Sequence, residues 1–531
     1  MTEPATTPRQ NPWSPMRQPV FRALWLASLF SNIGTWMHEV GAGWLMTSLA
    51  PTPVLVSAVQ AASSLPMFLL ALPGGVVADL GDRRRILLVT QSWQASIALA
   101  LGVMTLTHVV TPWVLLLMTF GLAAGTALNA PAWQSILPEL VGPSELASAV
   151  TLNSISFNIA RALGPAIGGL AIAALGSAAN FMFNAASFFG VLIVLYRWKR
   201  DDSGDSRLPA EHFVGALRTG ARYVRHAPYL HAVMVRGGLF VFCGSGLWAL
   251  LPLVARFRLG VNAGGYGLLL GCFGCGAVAG AAFITRLRRK RSADSLAFAG
   301  SVVFAVGMGA LAWAEAFWVA ALGLALAGGA WLTVLSGFSV AAQTAVPGWV
   351  RARALSFYLL VFYLSMASGS ALWGFVAKHS SSQIALSAGS VGILLGLFAR
   401  LRFRVRSADV SSLAPSRHWP VPLLPTEPEA DRGPVLVTHE YLIDPARAAD
   451  FVTVMRLLRR SRRSGGALRW HLWNDAARPE RYLESFVDES WLDHLRHRER
   501  LTAQDREIEA RASGFHVADE PPRVQVYLAP D

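Results

Sequence analysis

Gly74-Gly75-Val76-Val77-Ala78-Asp79-Leu80-Gly81-Asp82-Arg83-Arg84-Arg85 joins two apolar runs through one short charged turn. The run before it ends in paired glycines, which let helix backbones approach closely in a bilayer. Three arginines follow before the next apolar run begins at Ile86. Guanidinium groups stay out of hydrocarbon, so they mark the cytoplasmic ends of two membrane helices. Asp79 falls where the first helix meets that rim. Gly75, Asp79, Arg83, Arg84 and Arg85 are therefore candidates for a gate, with Asp79 as its latch, because a carboxylate has no topological purpose there. The plainer alternative is topology and turn formation alone.

The 531-residue chain is 53% hydrophobic and 15% charged, with a mean hydropathy of +0.42. A soluble chain of this length would carry more charge and shorter apolar runs, so a polytopic all-α membrane protein is expected. Runs of spanning length cover about 22–48, 54–78, 86–107, 112–138, 146–174 and 177–197. After a polar stretch, six more cover about 229–255, 262–285, 293–314, 316–343, 353–377 and 382–401. The pattern predicts twelve transmembrane helices in two six-helix repeats.

A net charge of +14 would suggest a nucleic-acid partner in a soluble protein. Here the basic residues cluster in alternate loops, including Arg83–Arg85, Arg286–Arg291, Arg351, Arg353 and Arg400–Arg406, while the other loops hold only Arg256, Arg258 and Lys378. Topology accounts for this, so no nucleic-acid partner is expected, and both termini are placed in the cytoplasm of a cell (inner) membrane. The domains read as a cytoplasmic tail 1–20, a bundle 21–198, a cytoplasmic linker 199–228, a second bundle 229–404, a Pro/Ser-rich linker 405–434 and a soluble domain 435–531. The N-terminal segment has no apolar core, so no cleavable signal is expected. Cys243, Cys272 and Cys275 lie in apolar segments. They suggest no disulfide framework, and Cys272-x-x-Cys275 reads as a small packing surface on helix eight.

The two halves are related in sequence. Gly75 and its arginines correspond, 205 residues on, to Gly280 through Arg289, with Ile284 in place of Asp79. Trp133-Gln134-Ser135-Ile136-Leu137-Pro138 corresponds to Ala342-Gln343-Thr344-Ala345-Val346-Pro347, and Gly164 through Gly169 to Gly369 through Gly374. Three matches in order argue for a duplicated six-helix unit, with substrate handled between the halves.

Residues 15–405 resemble the major facilitator superfamily, in the enterobactin-exporter-like or transmembrane secretion effector branch. The carrying residues are Gly75-x-x-x-Asp79 with Asp82-Arg83-Arg84-Arg85, then Asn129-Ala130-Pro131-Ala132-Trp133-Gln134 through Leu137-Pro138-Glu139-Leu140, and Gly164-Pro165-x-x-Gly168-Gly169. Leu80 stands where many members have a basic residue. Gly164, Pro165, Gly168 and Gly169 resemble the end of the antiporter signature of helix five. The resemblance implies a secondary active transporter, not an enzyme, exporting a small-molecule substrate such as a drug, siderophore or secondary metabolite by alternating access. Protons are the implied coupling ion, and helices one, four, seven and ten the implied cavity lining. The competing readings are a membrane-bound sensor or effector whose soluble tail is the output, and a transporter fused to an enzyme-like α+β barrel.

Ionisable residues within membrane spans are functional candidates. On helix one, Ser28, Asn32, Trp36, Glu39 and Gly43 share a face, with Glu39 roughly 25 Å in from Arg22, while His38 points about 100° away, toward a neighbouring helix or near the outer rim. On helix five, Ser154, Asn158, Arg161 and Pro165 form a second stripe at similar depth. Asn32, Trp36, Glu39, Asn158 and Arg161 are therefore candidates for proton coupling or a substrate cavity, with Glu39 facing Arg161. The pair either titrates or is a permanent ion pair. Arg236 on helix seven either snorkels to the near rim or faces the cavity.

In the tail, a strand at 435–441, a helix capped by Asp444 to about Arg463, strands at 467–473 and 481–487, a charged helix at about 489–513 and a strand at 523–528 give the order βαββαβ of an α+β ferredoxin-like domain. It resembles the dimeric α+β barrels of antibiotic-biosynthesis monooxygenases, which implies a possible homodimer through this domain. No cofactor motif is present. His494-x-x-His497 lacks a third metal ligand, so no metal is expected and both histidines read as a solvated face. The run Arg456, Arg459, Arg460, Arg462 and Arg463 reads as solvated or as facing anionic lipid.

Overall fold

The computed structural model describes residues 13–142, 144–198, 221–225, 227–287, 290–405, 416, 418–419, 428–429 and 431–530. The expected N-terminal tail up to residue 12, most of both linkers, Arg288, Arg289 and the side chain of Asp79 lie outside the described residues. The chain forms two compact units. One comprises Met1–Leu208, Val235–Phe338 and Leu359–Arg402, and the other Pro209–Met234, Ser339–Tyr358 and Phe403–Asp531.

The N-terminal half supplies α1 (Pro19–Leu49), α2 (Pro53–Leu80), α3 (Arg83–Leu106), α4 (Pro112–Leu140), α5 (Leu146–Leu175) and α6 (Ser177–Arg197). The C-terminal half supplies α7 (Pro228–Leu253), α8 (Ala263–Leu287), α9 (Ala293–Trp313), α10 (Phe317–Thr344), α11 (Arg351–His379) and α12 (Ser382–Gly396), the last followed by a helical turn at Ala399–Arg402. Among the described residues, eleven helices are long and apolar enough to cross a membrane. The helix missing from the expected twelve is α1, because Ser28, Ser31, Asn32, Thr35, His38 and Glu39 interrupt its apolar surface.

Local signals place the helix ends. Pro19, Pro53 and Pro112 occupy the first helical turns of α1, α2 and α4, where a missing N–H costs nothing. Asp82 caps α3, accepting from the Arg84 and Arg85 amides at 2.9 and 3.4 Å, a contribution of about 1 kcal/mol. Gly176, at φ +82°, turns the chain between α5 and α6 in a conformation that side chains disfavour. Within the bundle α2 packs on α4, α3 on α4 and α6, α1 on α5 and α6, and α9 on α12, while α5 packs across the halves on α8.

The second unit carries a four-stranded sheet of β1 (Val435–Leu442), β2 (Arg469–Asn474), β3 (Arg481–Asp488) and β4 (Arg523–Leu528) in the order β2-β3-β1-β4, antiparallel throughout. Helices α13 (Ala448–Gly465), α14 (Trp491–Arg500) and α15 (Ala503–Ser513) complete it. Asp444 accepts from the Ala446 amide at 2.9 Å in the turn before α13, and Gly466 ends that helix at φ +144°. The single charged helix expected at about 489–513 is two helices. Thr502 and Asp505 form a capping box that starts α15 afresh, with Leu501 buried at the break.

The tail is organised around a buried charge. Glu484 accepts from Arg462 Nε at 3.1 Å, Trp470 Nε1 at 2.9 Å and Tyr441 Oη at 3.3 Å. Arg462 also pairs with Glu509, and its guanidinium lies 4.7 and 4.9 Å from the Trp419 and Phe486 ring centroids. Arg462 is therefore core, not part of a solvated or lipid-facing run. His494 and His497 are buried too. Each donates from Nδ1 to Asp488 at 2.9 Å, because a buried carboxylate needs charge-assisted donors more than the surface needs histidines.

The segment expected as a linker also contributes to this core. Ser416 N donates to Leu501 O at 2.9 Å, and Trp419 Nε1 donates to Glu509. Elsewhere in the unit, Arg222 donates to Gly466 O, Tyr223 meets Trp349 edge-on at 5.7 Å, and Arg500 lies 4.6 Å over the Trp349 ring.

Burial would push the Glu484 carboxyl up, but the adjacent Arg462 outweighs it and holds the group below its ordinary value. Glu509 is held well below by the same arginine, and Asp488 by His497 and His494, again against burial. A depressed folded value contributes stability that is complete above the unfolded value of about 4 and lost as pH falls through the folded one. These carboxylates contribute fully down to about pH 5, whereas burial holds His439 of β1 below its ordinary value, so the tail should lose stability gradually as pH falls below about 6.5 and open in stronger acid. Pulse-labelled hydrogen exchange of β1 and β3 amides in the full-length protein checks this.

Candidate functional site

A cavity of about 390 Å³ lies within the helical bundle. Asn32, Trp36, Glu39 and Gly43 form its α1 wall, opposite Trp248 of α7, Tyr266 of α8 and Tyr363 of α11. Glu39 lies deep in the bundle yet is accessible, because its side chain borders this cavity. A second hollow of about 450 Å³ shares Asn32, Gln91, Thr126 and Asn129 with the first. It reaches Trp133, Gln134, Asn153 and Asn158, toward the arginine-bearing end of the bundle.

A side pocket of about 60 Å³ is bordered by Trp36, Glu39, Arg161, Pro165 and Phe273. The Arg161 guanidinium sits 6.0 Å from both the Trp36 and the Phe273 ring centroids. Glu39 and Arg161 thus share a pocket and lie within electrostatic reach of one another, but no direct ion pair joins them. His38, on the adjacent face, is buried with its ring edge-on to Phe181 of α6 at 4.7 Å.

Two expected cavity elements are placed elsewhere. Arg236 neither snorkels nor lines the cavity. It is buried against Asp294, the first-turn carboxylate of α9, which also accepts from Arg400 Nε at 2.6 Å. α10 contributes none of the described lining residues. Its Trp331 is buried behind Trp248, 5.8 Å away, in a cluster with Phe240 and Phe304.

The helix-five residues act as a seam. A Cβ on Gly164 would stand 2.5 Å from Trp36 Cβ, and one on Gly168 3.0 Å from Met37 Cα, so both glycines press α5 onto α1. Asn180 pins this contact, donating to Met37 O at 2.7 Å and Gly168 O at 3.2 Å. A Cβ on Gly169 would stand 2.6 Å from Gly267 Cα, so here α5 meets α8 of the other half backbone to backbone. Pro165 is buried between these glycines.

At the opening turn the structure redistributes the expected roles. A Cβ on Gly75 would meet nothing within 4 Å; the close approach belongs to Gly74, where a Cβ would stand 3.1 Å from Ala127 O of α4. Arg83 donates to Glu139 at 2.7 Å and Ser135 O at 3.2 Å, both on α4. Arg84 donates to Leu195 O and Tyr196 O at 2.8 and 2.7 Å, and Arg85 lies 3.5 Å from Asp82. All three arginines are engaged within the N-terminal half.

At the other end the halves are tied by a residue that sequence reasoning passed over. Arg256 leaves a π-helical turn at Val254–Arg258, donates to Thr47 at 2.9 Å and to Ser48, and lies 5.3 Å over the Trp44 ring. Trp44 stacks on Tyr266 at 5.7 Å. The available signal was its isolation in a loop set almost free of charge. π-turns within helices are frequent at functional positions.

The seam yields a paired expectation. Gly75→Ala should be tolerated or slightly stabilising, since alanine favours a helix by up to about 1 kcal/mol over glycine. Gly169→Val should destabilise the form in which α5 and α8 meet, read as a lower melting temperature.

The chain matches the family described as transmembrane secretion effector over residues 10–531, tail included. It is 26% identical over 402 residues to the uncharacterized MFS-type transporter YfiS of Bacillus subtilis, covering 72% of this chain and 94% of that one. It is 24% identical over 381 residues to the enterobactin exporter EntS of Shigella boydii, covering 71% and 90%. The bacterial homologue of the human lysosomal transporter Spinster, solved in an inward-facing and unoccupied conformation, superposes with a TM-score of 0.61 at 16% identity over 73% of this chain and 98% of that one, which speaks to fold alone. The chain is a multi-pass membrane protein and belongs to the transmembrane secretion effector family of major facilitator transporters.

Proposed function

We propose that this protein is a secondary active exporter of a small, partly apolar compound, working by alternating access across the cell membrane with protons as the coupling ion. The observation that carries the reading is a cavity bounded by both helical halves, which meet at one end through Gly169–Gly267 and Arg256, with a second hollow along the N-terminal half that reaches toward the other end. With the arginine-rich loops in the cytoplasm, this is an inward-open form. α1 is then the twelfth span, and its low hydropathy follows from a polar stripe that faces the cavity instead of lipid. The exporter EntS among its relatives favours a siderophore or similar metabolite as cargo.

Glu39 is the proposed proton site. A static ion pair with Arg161 would need direct contact, and the two share a pocket without it, which favours the coupling role. Asp79 with Arg83–Arg85 remains the proposed inner gate, in which Arg83 would exchange its Glu139 partner during the cycle. The sheet order and helix placement of the tail fit a ferredoxin-like domain suited to self-association and not to catalysis. A sensor reading has one observation in its favour, the packing of Arg500 and Arg222 beside Trp349 and Gly466. Deleting residues 407–531 separates the two, since an exporter keeps some efflux and a signalling protein keeps none.

Efflux from cells stripped of their own pumps tests the coupling. Glu39→Gln should lower proton-driven efflux about a hundredfold or more, the scale of a lost general acid–base group, a larger loss than weaker substrate binding alone would give. Full proton-driven efflux in the variant would remove Glu39 from the mechanism.

A further inference from the structure

Helix α13 has two unlike faces. Phe451, Val454, Met455, Leu458 and Arg462 are buried in the tail. On the opposite side Arg456, Arg459 and Arg460 are exposed and Arg463 is half-buried. Separations of three and four residues put these four guanidiniums in one stripe.

The stripe has no counter-charge of its own. Elsewhere in the tail arginines meet carboxylates: Arg462 meets Glu484 and Glu509, Arg481 meets Glu440 and Asp475, and Arg496 meets Asp493. Among the described residues no carboxylate pairs with Arg456, Arg459, Arg460 or Arg463, and the single acid of α13, Asp450, lies in its first turn. Like charges three and four residues apart repel along a helix. The helix dipole offsets this only in the last turn, so it accounts for Arg463 and not for the other three. Four gathered cations therefore cost stability unless an anion meets them.

The anchorage of α13 says which anion. Gly466 O, at the end of the helix, accepts from Arg222, six residues before α7 begins at Pro228. Gly465 O accepts at 3.3 Å from Arg500, whose guanidinium lies 4.6 Å from the Trp349 ring centroid, two residues before α11 begins at Arg351. Both α7 and α11 are of spanning length and hydropathy. The C-terminal end of α13 is thus held where two spans leave the bilayer. At 1.5 Å per residue, Arg463 and Arg456 follow about 5 and 15 Å back along the helix axis. The apolar face of α13 is already covered within the tail, so contact with a bilayer is electrostatic and involves no insertion.

We propose that the arginine stripe of α13 docks on anionic phospholipid headgroups and lays the tail against the membrane surface. This depends on α7 and α11 crossing the bilayer and not on what the protein transports. The test uses full-length protein with Cys243, Cys272 and Cys275 replaced by alanine and a fluorophore on Leu457→Cys, a position beside the stripe that is 37% exposed. Nanodiscs are made of phosphatidylcholine alone or with phosphatidylglycerol, each with the same trace of lipid bearing a nitroxide on its headgroup.

Quenching should be strong in the anionic discs, weak in the zwitterionic ones, and lost from both at high salt. One arginine near such a surface is worth about fivefold, so Arg456→Gln with Arg460→Gln should lower the ratio of docked to undocked tail about 25-fold. Arg506→Gln with Arg511→Gln, an equal charge loss on the exposed side of α15, should leave quenching unchanged. Matching melting temperatures show that both variants are folded. Equal quenching in the two kinds of disc, or an equal response to the two variant pairs, overturns the proposal. Single-stranded RNA that binds through the stripe in zwitterionic discs, with no response to phosphatidylglycerol, assigns the stripe to nucleic acid and overturns it too.

Discussion

The structure depends on one close approach. α5 lies against α1 at Gly164 and Gly168 and against α8 at Gly169, with no room for a single added carbon at Gly164 or Gly169. Lipid offers no hydrophobic drive for helices to associate, so contact must come from packing and from the polar groups that small residues expose. Asn180, bridging Met37 O and Gly168 O, is such a polar fastening. With α5 held on both sides, the halves touch at one end, and the cavity lies beside that contact, lined mainly by the N-terminal half.

That cavity explains a helix that looks wrong for a membrane. α1 carries too many polar groups to qualify as a span by hydropathy, yet its Asn32, Trp36 and Glu39 line the hollow and its His38 packs on Phe181. The polar residues that lower its hydropathy border the hollows or pack inside the bundle. Arg161 shows a related economy of placement. Set between Trp36 and Phe273, it stays close enough to influence Glu39 while leaving that carboxylate open to the cavity.

Much of this was legible in the sequence because the signals are local or periodic. Spanning runs, arginine clusters and helix caps act over a few residues, and the positions of α2 to α12 follow from them. The polar stripe of α1 was legible for the same reason, since residues three and four apart share a face. What was hidden depended on partners far away in the chain. Nothing near Arg236 announces that Asp294 will hold it and share its carboxylate with Arg400, and nothing near Arg462 announces Glu484, Glu509 and Trp419. The glycine that matters at the opening turn is Gly74 and not Gly75, because which of two adjacent helix residues faces a neighbour is set by the neighbour.

The central claim is that α5 and α8 part during each transport cycle. Ala173 and Gly264 face each other at that end, where a Cβ on Gly264 would lie 3.7 Å from that of Ala173, within the range a disulfide bridges. The direct measurement is transport by an Ala173→Cys, Gly264→Cys protein with Cys243, Cys272 and Cys275 replaced. Oxidation should cross-link the pair and stop transport, and reduction should restore it. Transport continuing at the reduced-state rate in the fully cross-linked protein would contradict the claim.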